Sequence, residues 1–248
     1  MAHFDPVFLA AILAVLAVTH WLGAVTAFGS TLLAFPVLTW FMGIHDVRAA
    51  LLLIGTVQSY QVFAYVRRDV NWQLLGRMVF FAGLGLPVGI HAMRYLREAP
   101  LLVFLGCVLV ASGAAGAWRG DCGPPARRPR ALLDGLLVVG GVMHGAFVCG
   151  AAATVIYAQH VTPEKGAFRG TLTAFWTSVN TILVIHLFWS GESLAPTIPV
   201  LAAGIPVVLL VSWLGNRAAS RLSQRRFARL VGWLLVLAGI VTFGRAFG

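Results

Sequence analysis

Residues 6 to 45, a run of 40, contain no Asp, Glu, Lys or Arg, and neither do residues 135 to 163, a run of 29. At about 1.5 Å per residue, one helix over the first run would reach about 60 Å, roughly twice the hydrocarbon core of a bilayer. The chain must break inside it. Glycine-rich stretches offer the place: Gly23 to Ser30 (GAVTAFGS), with arms Val7 to Leu22 and Thr31 to Gly43, and Gly140 to Ala152 (GGVMHGAFVCGAA) in the second run.

Elsewhere charges punctuate the chain and leave six apolar spans of ordinary crossing length, at 49–66, 74–93, 99–118, 170–189, 194–214 and 227–246. With 59% of residues apolar and 10% charged, against about 25% charged in soluble domains, the expected class is an all-α integral membrane protein in contact with a lipid bilayer. The net charge of +10 could suggest nucleic acid, but the basic residues lie in short loops between spans, where the positive-inside bias accounts for them. No nucleic-acid partner is expected. Cys107, Cys122 and Cys149 form no CxxC pair, so no disulfide framework or zinc site is expected, and no cofactor or metal. Asp5, with no Lys or Arg ahead of the first apolar run, argues against a secretory signal peptide.

The 18 basic residues test the breaks. If each long run crosses once, they divide 10 to 8 between the two sides. If each run enters and returns as a hairpin, 14 gather on one side and only Arg48, Arg94, Arg97 and Arg245 remain opposite. The hairpin arrangement gives the stronger bias, and it puts both termini on the non-cytoplasmic side. The expected organisation is a first repeat, 1–118 (hairpin 7–43 and three spans), a cytoplasmic linker, 119–131, and a second repeat, 132–248 (hairpin 132–161 and three spans). An odd number of crossings per half inverts the second repeat relative to the first, as in many secondary transporters. Residue matches agree modestly: Gly29 with Gly150, Arg48 with Arg169 and Thr56 with Thr177 all lie 121 apart.

A broken helix in a membrane leaves backbone N–H and C=O groups unpaired, which is tolerated only where the break is buried in protein or lines a watery cavity. The helix that resumes offers free N–H groups and a partial positive charge, a setting for an anion. Those starts are Gly29-Ser30-Thr31 and Gly150-Ala151-Ala152. At mid-depth beyond each break lie Thr56, Gln58 and Ser59, and in the second half Thr177, Ser178 and Asn180; Gln58 and Asn180 are the better ligand candidates. Small and hydroxylated residues also serve helix packing, and Arg48 and Arg169 are expected to snorkel to the interface. His20, His91, His144 and His186 fall inside apolar spans, and His144, within the second break, is the candidate for coupling. Metalloprotease, P-loop and nucleophile-elbow motifs are missing from the chain, so no enzyme activity is expected.

At GAVTAFGSTLLAFPVL (Gly23 to Leu38) and GVMHGAFVCGAAATVIY (Gly141 to Tyr157), and in the stretches RAALLLIGTVQS and RGTLTAFWTSVN that follow, the chain resembles the TauE/SafE sulfite-exporter family. The family's glycine run reads Gly29-Ser30-Thr31 in the first half and Gly150-Ala151-Ala152 in the second. The resemblance implies a permease of the bacterial inner membrane for a small anion such as sulfite, thiosulfate or an organosulfonate. It also implies functional weight on Gly29, Ser30, Gly150, Thr56 and Thr177. Three alternatives stay open: proton-coupled uptake of an organic anion through His144, a membrane-embedded enzyme, and a non-transporting assembly subunit. Oligomeric state is likewise open, a homodimer among the choices.

Overall fold

Both long apolar runs break, each at a three-residue kink. The computed structural model describes residues 6–118, 129–162, 164–219, 233, 236, 237, 239–244, 246 and 247. Helix α1 (Pro6–Thr26) gives way to the short α2 (Ser30–Leu38), and α6 (Arg130–Phe147) to the short α7 (Ala151–Val161). The remaining helices are α3 (Ile44–Val66), α4 (Trp72–Tyr95), α5 (Glu98–Trp118), α8 (Lys165–Ser190) and α9 (Ile198–Ala218). Residues 239–244 are helical as well, and no strand occurs among the described residues. Most of the linker expected at 119–131, most of the loop expected at 217–229 and most of the span expected at 227–246 lie outside the described residues.

Both kinks fall inside the glycine-rich stretches expected to break, at residues 27–29 and 148–150, each ending on a glycine, Gly29 or Gly150. The chain leaves α1 at Ala27 (φ 65°) and α6 at Val148 (φ 57°), the two non-glycine residues with positive φ among those described. In both, the left-handed residue closes the last helical turn, Ala27 N–H donating to Gly23 O at 2.8 Å and Val148 N–H to His144 O at 2.9 Å. Gly29 and Gly150 belong to the kinks, Gly29 at φ 91°, whereas Gly23, Gly140, Gly141 and Gly145 stay helical and serve close packing. A Cβ at Gly141 or Gly145 would overlap the Ala82 or Leu86 carbonyl of α4, and one at Gly85 or Gly89 would overlap α6 carbonyls. Glycine on both faces lets the α4 and α6 backbones touch.

Each resumed helix runs back beside its first arm. Phe8, early in α1, meets Phe41, just past α2, edge to face at 6.1 Å between ring centroids. On that same side the Arg48 guanidinium lies 4.0 Å from Glu192 in the loop after α8, and Trp40 neighbours Gly244. The opposite side gathers Asp69 against Gly170, Asn71 N–H donating to Thr171 Oγ1 at 3.0 Å, and Arg77 in a two-pronged pair with Asp134 at 2.9 and 2.6 Å. Neighbouring helices pair as α4 with α6, α1 with α9, and α3 with α8.

Six described helices are long and apolar enough to cross a membrane, namely α1, α3, α4, α6, α8 and α9. Their outward faces carry large apolar side chains, Phe80, Leu84 and Val88 on α4 and Ile182 and Ile185 on α8, as a surface facing lipid requires. With this all-helical architecture the chain is a multi-pass membrane protein. Its most buried aromatic contact, Phe35 of α2 edge-on to Phe147 of α6 at 5.6 Å, joins one hairpin to the other beside the kinks.

Candidate functional site

The two kinks meet in the middle of the molecule and bind each other through their carbonyls. A residue at the end of a helix exposes C=O groups that the helix itself cannot satisfy. Thr31 of α2 donates its hydroxyl to the Val148 carbonyl at 2.7 Å, and Trp176 of α8 donates its indole N–H to the Ala27 carbonyl at 2.9 Å. The Cys149 thiol adds a contact to the Thr31 carbonyl at 3.5 Å.

Arginines take the next carbonyls back. Arg48 of α3 is 3% exposed and donates through Nε and Nη2 to Gly145 O of α6, at 3.2 and 3.1 Å. Arg169 of α8 donates to Ala24 O of α1 at 2.9 Å and also to Asn216 Oδ1 of α9. Neither snorkels, contrary to the sequence expectation. Each guanidinium is held by an open helix C-terminus, whose negative dipole end and free carbonyls are better partners at this depth than a distant interface.

That neutralisation shapes the field at the site. At a kink, the negative end of one helix faces the positive end of the next and the two largely cancel. With Arg48 and Arg169 on the C-terminal ends of α6 and α1, the N-terminal ends of α2 and α7 remain as net positive poles. Neither α2 nor α7 has a side chain capping its N-terminus.

Between these poles lies a cavity of about 530 Å³, its open mouth included. Of the residues singled out in the sequence, Gly29, Ser30, Thr31, Gln58, Ser59, His144, Ala151 and Asn180 line it. Gly150, Ala152, Thr56 and Thr177 do not. Thr56 and Thr177 spend their hydroxyls on the carbonyls one turn back in their own helices, Leu52 O at 2.6 Å and Thr173 O at 2.9 Å. Gly150 lies against α6, where a Cβ would overlap Gly140 O and approach His144 Cβ at 2.8 Å.

Which donors remain free decides what the cavity can hold. Gln58 has both amide hydrogens committed, to His20 O at 2.6 Å and Ser212 Oγ at 2.8 Å, and so offers an incoming anion no donor. Ser59 bonds Thr56 O at 2.8 Å. Asn180 differs. It is 5% exposed, His144 Nε2 lies 2.8 Å from its Oδ1, and its amide nitrogen has no partner among the described residues. That nitrogen would stand 3.9 Å from a Cβ on Gly55, across the cavity. The Ser30 hydroxyl is likewise without a partner among the described residues.

His144 is 3% exposed and used on both ring nitrogens, Nδ1 facing the Gly150 N–H at 3.5 Å and Nε2 facing Asn180. The arrangement fits a neutral ring that accepts at Nδ1 and donates at Nε2, orienting the Asn180 amide so that its NH2 points inward. Trp176, which the sequence reading passed over, stacks at 5.4 Å on the His144 ring and walls the cavity. Nothing in its local sequence separates it from the other aromatic residues of the spans.

His20 is buried with Nδ1 3.1 Å from Leu16 O, and His91 is exposed on α4, its Nδ1 3.2 Å from Pro87 O. Neither lines the cavity, and nor does His186.

Neither a curated relative nor a solved structure matches the chain. The family described as sulfite exporter TauE/SafE matches residues 11–242, nearly the whole chain and both kinked hairpins with it. This protein belongs to the TauE/SafE sulfite exporter family.

Proposed function

We propose that the protein is a secondary transporter that exports a small sulfur-containing oxyanion, sulfite or an organosulfonate, across the bacterial inner membrane. The observation that carries this reading is the cavity between the N-termini of α2 and α7, where the free donors Ser30 and Asn180 converge and no acidic side chain lines the wall among the described residues. Membership of a transporter family agrees with it.

In this reading the halves are inverted repeats. Support comes from contacts that recur 121 residues on: Arg48 to Gly145 O has its counterpart in Arg169 to Ala24 O, and positive φ recurs at Ala27 and Val148. The side that gathers Asp69, Arg77, Asp134 and Arg169 faces the cytoplasm, because the basic residues concentrate there. The cavity's lining extends toward that side, to Ser59 and Val62, late in α3, and to Thr173, early in α8. With a negative interior, moving one negative charge outward gains about 2.3 kcal/mol per 100 mV.

His144 has both nitrogens in use in a neutral ring, which favours this reading over uptake coupled to His144 protonation. Purified protein in liposomes should mediate saturable sulfite or sulfonate flux that an inside-negative potential drives outward. Flux of none of these anions would overturn the proposal.

A further inference from the structure

The charge assembled around the cavity is small, and it can be counted. The N-termini of α2 and α7 contribute about half a positive charge each, and the C-termini of α1 and α6 about half a negative charge each. Arg48 adds one positive charge but has Glu192 at 4.0 Å, while Arg169 adds one with Asn216, a neutral partner, beside it. The balance is about one positive charge. No Lys or Arg lines the cavity itself among the described residues.

Resting on the transport reading above, we infer that the site accepts one negative charge and discriminates by valence: it carries monovalent oxyanions, such as a sulfonate or the hydrogen form of sulfite, and rejects divalent ones such as sulfate. The cost of stripping water from an ion rises with the square of its charge. Attraction to a fixed counter-charge rises only linearly. A site worth about one positive charge, made of backbone N–H groups, the Ser30 hydroxyl and the Asn180 amide, offsets the desolvation of a monoanion and leaves that of a dianion largely uncompensated. Asn180 is the independent sign that an acceptor belongs there, because its buried amide nitrogen is open to the cavity with no acceptor among the described residues.

The titratable and charged groups packed around the site are His144 of α6, Cys149 of the kink, Arg48 of α3 with Glu192 beside it, and Arg169 of α8. A test by pH must separate their behaviour from that of the anion. Methyl phosphate does so, since a phosphate monoester changes from monoanion to dianion near pH 6 with almost no change of shape. Methanesulfonate stays monovalent throughout. In liposomes holding the purified protein, flux of sulfite, methanesulfonate, sulfate and methyl phosphate would be measured at pH 5 and pH 8. Methyl phosphate flux should fall at least tenfold from pH 5 to pH 8 relative to methanesulfonate, and sulfate should move at least tenfold more slowly than methanesulfonate at both. A smaller fall, or a smaller sulfate deficit, overturns the valence rule while leaving transport intact. Flux of none of the four, sulfite included, overturns the transport reading and the valence rule with it.

Discussion

Arg48 and Arg169 lie 121 residues apart and do the same thing to each other's half: each reaches across to a carbonyl in the last turn of the helix that breaks there, Gly145 O for one and Ala24 O for the other. The acceptors are themselves 121 residues apart. Gly89 and Gly215 extend the pattern, one packing on the Val142 carbonyl and the other on that of Trp21. Such reciprocity makes each hairpin depend on the opposite half for its open end.

The Arg48 clamp should therefore matter far more than its ion pair. Glu192 is partly exposed at 4.0 Å, a geometry worth at most about 1 kcal/mol, whereas a buried hydrogen bond from a charged group is worth about 1.5–3 kcal/mol. Glu192→Gln should leave the thermal midpoint in detergent within a few degrees of the parent. Arg48→Gln should lower it clearly, and Arg48→Lys should not restore it, since an ammonium cannot present two donors in a fork. Equal shifts for Glu192→Gln and Arg48→Gln would contradict this account.

The kinks give a second test. Positive φ costs an L-residue about 1–2 kcal/mol, so Ala27→Gly should be neutral or slightly stabilising. Val148 pays the same conformational penalty but is fully buried, and losing its side chain forfeits about 1.5–3 kcal/mol of burial. Val148→Gly should therefore be neutral or destabilising although the strain relieved is alike. Thermal melts of the two variants in one detergent would show whether they separate in this order.

Much of this was legible in the residues, though not all. Charge-free runs too long for one crossing demand a break whatever the fold, and the spacing of Gly29 and Gly150 marks its far edge. The break itself falls on Ala27 and Val148, residues with no preference for the left-handed region, because cross-half bonds from Trp176 and Thr31 hold their carbonyls. Long-range partners of that kind leave no local signal. The glycines around Gly141 read equally well as turn or packing, and the closeness of α4 decides for packing. Arg48 looked like an interface residue because its acceptor, Gly145 O, lies 97 residues away.

Asn180 and Thr177 separate ligand from scaffold on one helix. Asn180 keeps a free amide nitrogen in the cavity, whereas Thr177 bonds its own helix. Asn180→Ala should cut anion flux at least tenfold with little loss of folded protein, and Thr177→Ala should leave it within about threefold, a tenfold change being about 1.4 kcal/mol. His144→Gln should lower flux by releasing the Asn180 amide, without changing how flux varies with pH. Flux assays at several pH values on the three variants would check all of this, and a pH profile altered by His144→Gln would return that residue to a coupling role.

Gly29 and Gly150 occupy matching places after the two kinks, yet they should fail in different ways when replaced. Gly29 has φ +91° and nothing within 4 Å of where a Cβ would stand, while lining the cavity. A side chain there meets backbone strain and open space, not neighbours. Asn tolerates the left-handed region better than most residues, so Gly29→Asn should fold and insert normally while its side chain intrudes on the site and abolishes flux. Gly150 has φ −69°, an ordinary value, but no room: a Cβ would overlap Gly140 O and press on His144 Cβ at 2.8 Å. Gly150→Ala should thus displace α7 from α6 and show itself as lost yield and a lowered melting midpoint, with the flux per folded molecule a secondary loss. Size-exclusion profiles, thermal melts and flux normalised to folded protein would distinguish the two. A Gly29→Asn protein that is folded and transports sulfite at the parent rate would remove the α2 N-terminus from the site.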